Sequence, residues 1–196
     1  CRMILPIVAY GDPILKREAD DIDKDYEGLD ELIDNMFETM YGAQGIGLAA
    51  PQIGKSIRLF IVDASPFGED EEDPEAQKVK DFKEVFLNAR IIEEKGEPYV
   101  FPEGCLSIPH IREDVTRDDT IVIEYYDREW NFQRKEFDGY AARIIQHEYD
   151  HIDGILFTDK LKPLKKKLLK RKLTDISKGN VEVNYRMRFP QLKLKR

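Results

Sequence analysis

Residues 139–154 read Gly139-Tyr140-Ala141-Ala142-Arg143-Ile144-Ile145-Gln146-His147-Glu148-Tyr149-Asp150-His151-Ile152-Asp153-Gly154. The stretch predicts one helix, with Asp138 in front of it as N-cap and Gly154 as its stop. His147 and His151 are four apart, so both imidazoles leave the same face and can grip one divalent ion. Glu148 stands beside them, within reach of a water on that ion. Ile144 and Tyr140, three and seven residues before His147, share its face and are expected to wall the adjacent space with apolar surface. A chance H-E-x-x-H on an exposed helix would look the same, so the rest of the chain has to supply the context.

Upstream, residues 26–41 carry Leu29, Leu32, Ile33, Met36, Phe37 and Met40 at helical spacing, which predicts a second, core-facing helix. A glycine-rich turn over 42–54 leads into a strand at 57–62. Further strands are expected around 85–87 and in the pair 120–126 and 132–137, with 127–131 as the hairpin turn. Strands clustered ahead of the histidine-bearing helix predict an α+β fold, with antiparallel β-sheets packed around that central helix and a C-terminal helix beyond it. The C-terminal helix is basic: residues 162–172 hold seven Lys or Arg residues around Leu161, Leu164, Leu168, Leu169 and Leu173. That pattern reads as amphipathic and suited to an acidic partner. The acidic block Glu69-Asp70-Glu71-Glu72-Asp73-Pro74-Glu75 reads as a solvated loop.

With 196 residues and 41% hydrophobic composition, the chain is expected to form one domain over 1–196. It divides into a core at 3–161 and a basic helix and tail at 162–196. A net charge of −8 argues against specific DNA binding. No apolar run reaches the roughly eighteen residues of a membrane span, and no secretory leader opens the chain, so a cytoplasmic protein without a membrane partner is expected. Cys1 and Cys105 are too few for a disulfide framework, which leaves Cys105 free for metal or chemistry. Met3 is expected to be the natural start, with Cys1-Arg2 an artificial addition.

A catalytic site of the His147–His151 kind wants a third protein ligand and one open position. Protease patterns do not supply it. The extended H-E-x-x-H-x-x-G-x-x-H pattern fails at Phe157, and no Glu lies between Gly154 and Val181. His110 and Cys105 remain. Read alone, Cys105 is a small buried hydrophobe.

Three segments then fall together: Gly45-Ile46-Gly47-Leu48-Ala49-Ala50-Pro51-Gln52, Glu103-Gly104-Cys105-Leu106-Ser107, and Gln146-His147-Glu148-Tyr149-Asp150-His151. In this order and spacing they resemble the three signature motifs of the peptide deformylase family, and the resemblance runs from near Met3 to about Leu161. It implies a hydrolase that removes the N-formyl group from the formyl-methionine of nascent polypeptides and releases formate. By resemblance Cys105, His147 and His151 bind one divalent ion, and metal-bound water attacks the formyl carbonyl with Glu148 as general acid and base. The resemblance gives the oxyanion to the Gln52 amide and the Leu106 backbone N–H. It gives substrate contacts to Ile46, Gly47 and Gly104, with Tyr140 and Ile144 receiving the methionine side chain, although Tyr140 and Arg143 fall where the family varies. Glu103 and Arg112 match positions that brace the cysteine loop, unless they are a plain surface ion pair.

The resemblance also implies Fe2+ as the ion, replaceable by Zn2+, Ni2+ or Co2+, and hence inactivation in air. It raises ribosome docking through the basic helix. Residues 65–83 read as a lineage-specific insertion, and 181–196 match no recognised pattern. Two other readings compete: a metalloendopeptidase, which lacks its third ligand here, and a non-enzymatic module binding RNA or a protein, which would have no use for Glu148 and Gln52.

Overall fold

Strand β3 (Leu59–Asp63) is buried at all five positions, the mark of a strand covered on both faces. It lies inside an antiparallel five-stranded sheet of order β2-β3-β4-β7-β8, with β2 at Gly47–Ala49, β4 at Lys83–Lys95, β7 at Thr120–Tyr126 and β8 at Phe132–Asp138. The computed structural model describes residues 3–190, so Cys1, Arg2 and the tail beyond 190 lie outside the described residues.

Alternation assigns the two faces of this sheet. Leu59, Ile61, Val85 and Leu87 turn toward α1 (Leu29–Gly42), whose Leu29, Ile33, Met36, Phe37 and Met40 form its buried stripe. Phe60, Val62, Phe86, Ile121, Ile123 and Tyr125 turn the other way, onto Ala141, Ala142, Ile144, Ile145 and Ile152 of α3 (Gly139–Ile152). Each fully buried aliphatic or aromatic side chain contributes about 1.5–3 kcal/mol, so this helix–sheet–helix sandwich outweighs any propensity of its parts. The α+β expectation holds, with the histidine-bearing helix between sheets.

The second layer over α3 is a hairpin of β5 (Tyr99–Cys105) and β6 (Ile108–Arg117). It shares a core with Leu169, Leu173 and Ile176 of α4 (Pro163–Ser177) and with β1 (Ile7–Val8). Among the described strands one pairing is parallel: β1 with β9 (Met187–Arg188), formed by a segment in which no strand was expected.

The hairpin turn over 127–131 is present, closed by the Asp127 N–H donating to the Asn131 carbonyl and by the Asp127 carboxylate accepting from Glu129 and Asn131. Three details differ from expectation. Asp138 occupies the N-cap position of α3, but its side chain makes no capping bond. α4 is only half amphipathic: Leu164 and Leu168 are 70% and 66% exposed, because they sit some 100–140° around the helix from Leu169. The acidic block is partly structural, since Asp73 caps the short α2 (Pro74–Gln77) and accepts a hydrogen bond from the Tyr140 hydroxyl at 2.8 Å. Gly154 does stop α3, at φ +76 and with its position for a Cβ 2.7 Å from the Lys16 backbone.

Candidate metal centre

Edge strand β2, the β5–β6 hairpin and α3 enclose a cavity of about 460 Å³. Gln52, Ile46, Gly47, Gly104, Cys105, Leu106, Ile144, His147 and Glu148 all line it. His151 lies just behind, 1% exposed, with its Nε2 3.3 Å from the Cys105 sulfur. The ligand atoms of Cys105, His147 and His151 all fall within 4.8 Å of one another, and no other such cluster of three occurs among the described residues. A thiolate and two imidazoles at this spacing fit a divalent metal.

The tautomer of His147 follows from its neighbour. Its Nδ1 lies 2.9 Å from a Glu103 carboxylate oxygen, so Nδ1–H donates there and Nε2 is the nitrogen left on the Glu148 side. Glu103 itself is 5% exposed and held by two arginines. Arg117 grips both of its oxygens at 2.7 and 2.9 Å and reaches on to Asp150 at 2.8 Å, while Arg143 adds a bond at 2.7 Å. Burial pushes the Glu103 carboxyl up, but the hydrogen bonds from His147 and Arg117 prevail and hold it well below the usual carboxylate range. Arg112 is not its partner, in contrast to the expected pair: Arg112 packs against Gly104 and donates to the Pro102 carbonyl at 3.4 Å. Arg117 takes the place assigned to Arg112, because β-pairing sets Glu103 opposite Glu113, so Arg117, four residues on from Glu113, shares the buried face of Glu103, whereas Arg112 turns to the other face.

Glu148 is the buried acid with least support. Its Oε1 is 3.9 Å from His147 Nε2, and its Oε2 has no hydrogen-bond partner among the described residues. Burial pushes its carboxyl up to about 7, against the opposing influence of His147. Gly47 explains how the carboxylate fits: a Cβ there would meet Glu148 atoms at 2.7–2.9 Å. The glycine in this motif is therefore required by close approach and not by a positive φ. Burial and His147 together push His151 well below its ordinary value, whereas the bonds of His147 to Cys105 and Glu103 overcome burial and raise it.

Gln52 is oriented by its oxygen. Oε1 accepts the Ala49 N–H at 2.9 Å, so the amide nitrogen must point to the cavity side, where it donates to the Cys105 sulfur at 3.3 Å and the Ser107 hydroxyl at 3.2 Å.

Tyr140 is the predicted residue that the structure places elsewhere: it does not line the cavity. Its hydroxyl is drawn away to Asp73, and its ring backs Phe67 and Phe101, with centroids at 5.4 and 5.8 Å. Those two rings line the cavity in its stead. Phe67 comes from residues 65–83, where no periodic signal marks it. Tyr185, Arg143, Gln44 and Pro102 are among the other lining residues not foreseen.

Comparison with known proteins gives a consistent picture. The sequence model of the family described as Polypeptide deformylase matches residues 4–167. A protein of Christiangramia forsetii named peptide deformylase is 60% identical over 193 residues, covering 97% of this chain and 98% of its own length. One from Flavobacterium psychrophilum is 54% identical over 189 residues, covering 95% and 97%. Among solved structures, a peptide deformylase from Legionella pneumophila aligns with a TM-score of 0.76 at 35% identity, covering 90% of this chain and 97% of that one. The peptide deformylase from Thermus thermophilus aligns with a TM-score of 0.77 at 37% identity, covering 90% and 99%.

Proposed function

Since the chain belongs to the polypeptide deformylase family, whose members are hydrolases that remove the N-formyl group from nascent formyl-methionine peptides, we propose the residue roles by which it does so. The family uses a single divalent metal, and Cys105, His147 and His151 would hold it here, with Fe2+ as the resident ion and Zn2+, Ni2+ or Co2+ as substitutes. When bound, the ion supplies a Lewis acid that polarises the formyl carbonyl and lowers the pKa of water.

The remaining work belongs to the side chains. Glu148 accepts a proton from the attacking water on Oε2 and returns it to the leaving amine nitrogen, so that formate and a free α-amine result. Gln52 Nε2 and the Leu106 N–H hold the developing oxyanion, each worth about 2.7–4 kcal/mol in comparable sites. Ile46, Gly47 and Gly104 border the peptide, and the free edge of β2 offers it a strand-like partner. Ile144, with Phe67 and Phe101, receives the methionine side chain in place of Tyr140.

The observation that carries this reading is the partnerless oxygen of buried Glu148 beside a Cys-His-His triangle. Membership of the family disposes of the endopeptidase and binding-module alternatives. The test is formate release from a formyl-Met peptide under anaerobic conditions by protein loaded with ferrous iron. Glu148→Ala is expected to lower kcat by about 10²–10⁴-fold. Full activity in that variant would remove Glu148 from the mechanism.

The chain is read as one domain, and a cytoplasmic location is part of the same proposal. No helix among the described residues is long and apolar enough to cross a membrane. Docking of α4 on the ribosome is supported by its exposed Lys166, Lys167, Lys170 and Arg171. Reversing these charges should abolish low-salt co-sedimentation with ribosomes, and retained co-sedimentation would refute the docking.

A further inference from the structure

Residues 181–190 lie beyond the stretch matched by the family, yet they return to the active cavity. The run Val181-Glu182-Val183-Asn184-Tyr185-Arg186-Met187-Arg188 alternates apolar or aromatic residues with polar ones, and its burial alternates in step, odd residues half-buried and even ones exposed. That is the period of an extended chain lying one face down. The segment is anchored at three points. The Glu182 carbonyl meets His110 Nε2, β9 pairs with β1, and between them the Tyr185 hydroxyl donates to the Leu106 carbonyl at 2.7 Å. Val181, Met187 and Phe189 pack on the cluster that also touches Cys105.

Leu106 and Ser107 are the two corner residues of the β5–β6 hairpin, since Cys105 pairs with Ile108. The Leu106 carbonyl belongs to the central peptide of that turn, and the orientation of this peptide is what separates one tight-turn type from another. Gln52 and the Tyr10 N–H hold Ser107, through its hydroxyl at 3.2 Å and its carbonyl at 2.9 Å. Tyr185 holds the central peptide itself.

We infer that Tyr185 is a positioning residue for deformylation: its hydroxyl locks the Cys105-Leu106-Ser107 turn so that the Leu106 N–H stays aimed at the oxyanion, and residues 181–188 are the strap that delivers it. The inference rests on the reading of Leu106 as an oxyanion donor. Burial, with the nearby Cys105 sulfur, pushes the Tyr185 phenol up, so it remains a hydrogen-bond donor across the neutral range.

Tyr185→Phe keeps the ring and removes the bond. Measured on metal-loaded enzyme with a formyl-Met peptide, it is expected to lower kcat about three- to tenfold while KM stays within about twofold. Metal content and thermal midpoint are read on the same samples. An unchanged kcat overturns the inference, and so does a loss of kcat that merely tracks lost metal or unfolded protein, because a structural prop would do the same. Gln52→Ala, run in parallel, separates the two readings. If it lowers kcat while Tyr185→Phe does not, the positioning role alone falls; if neither lowers kcat, the oxyanion reading falls with it.

Discussion

Helix α3 and the turn at 104–107 each bring ligands to the same centre, and they do so by opposite means. On α3 the spacing of His147, Glu148 and His151 is fixed by backbone hydrogen bonds within fourteen consecutive residues, and one buried stripe against the sheet sets its rotation. The Cys105 turn has no such internal ruler. It is held by Gln52, 53 residues before the cysteine, by Tyr185, 79 residues after Leu106, and by the Tyr10 N–H. Glu103 ties the two together, because it leaves β5 to orient His147 on α3. Changes on the helix should therefore act locally, whereas changes at the turn or at Glu103 should spread.

The largest effect is expected from Glu103→Ala, which leaves buried Arg117 with Asp150 alone and buried Arg143 with only backbone carbonyls for partners. The cost to stability should be about 3–5 kcal/mol, and metal affinity should fall about 10–100-fold as His147 loses its orienting carboxylate. Urea unfolding and metal titration read the two separately. Because the native Glu103 carboxyl lies below its unfolded value, its contribution is present above the ordinary carboxylate range and is lost as pH falls, so the variant should also show a weaker acid dependence.

Glu148→Gln should have the reverse sign in metal-free protein. The native carboxyl sits at about 7 against an unfolded value of 4.5, so the folded state binds more protons in that window and stability falls as pH rises through it. The amide removes that penalty. It should stabilise the protein by on the order of 3 kcal/mol at pH 8 and by very little near pH 4, as read by urea unfolding at the two values.

Gly47→Ala tests local action near the helix: the new Cβ has to push the Glu148 carboxylate aside. A misplacement of about 1 Å predicts a kcat loss of about 10²-fold with metal content intact. The smallest effect belongs to Tyr140→Phe, which removes the hydroxyl bond that ties residues 65–83 to α3 through Asp73. Faster amide exchange in 65–83 is expected, with kcat within about twofold because Phe67 and Phe101 still wall the cavity. A large kcat loss would place Tyr140 in the methionine pocket after all.

Several elements were legible from local pattern: α1, α3, the turn at 127–131 and the pairing of β7 with β8 all follow from period and turn chemistry. Of the residues named from the three motifs, Ile46, Gly47, Gln52, Gly104, Cys105, Leu106, His147 and Glu148 line one cavity, with His151 behind it, whereas Tyr140 does not. Arg117 and Arg143 were not legible as partners of Glu103, since nothing in a sequence says which of several arginines will cross a hairpin. The strap was legible only in principle: 181–188 alternate strictly, but a lone strand without a visible partner carries little weight.

By itself, then, the sequence determined that His147 and His151 share a face with Glu148 between them, because helical periodicity is a property of adjacent residues. Only the tertiary structure decided that Cys105 completes their triangle, that Glu103 rests on Arg117 and Arg143, and that Tyr185 closes on Leu106. Those contacts join residues as far as 79 positions apart, and their geometry comes from how sheets and helices pack against one another in adjoining hydrophobic clusters.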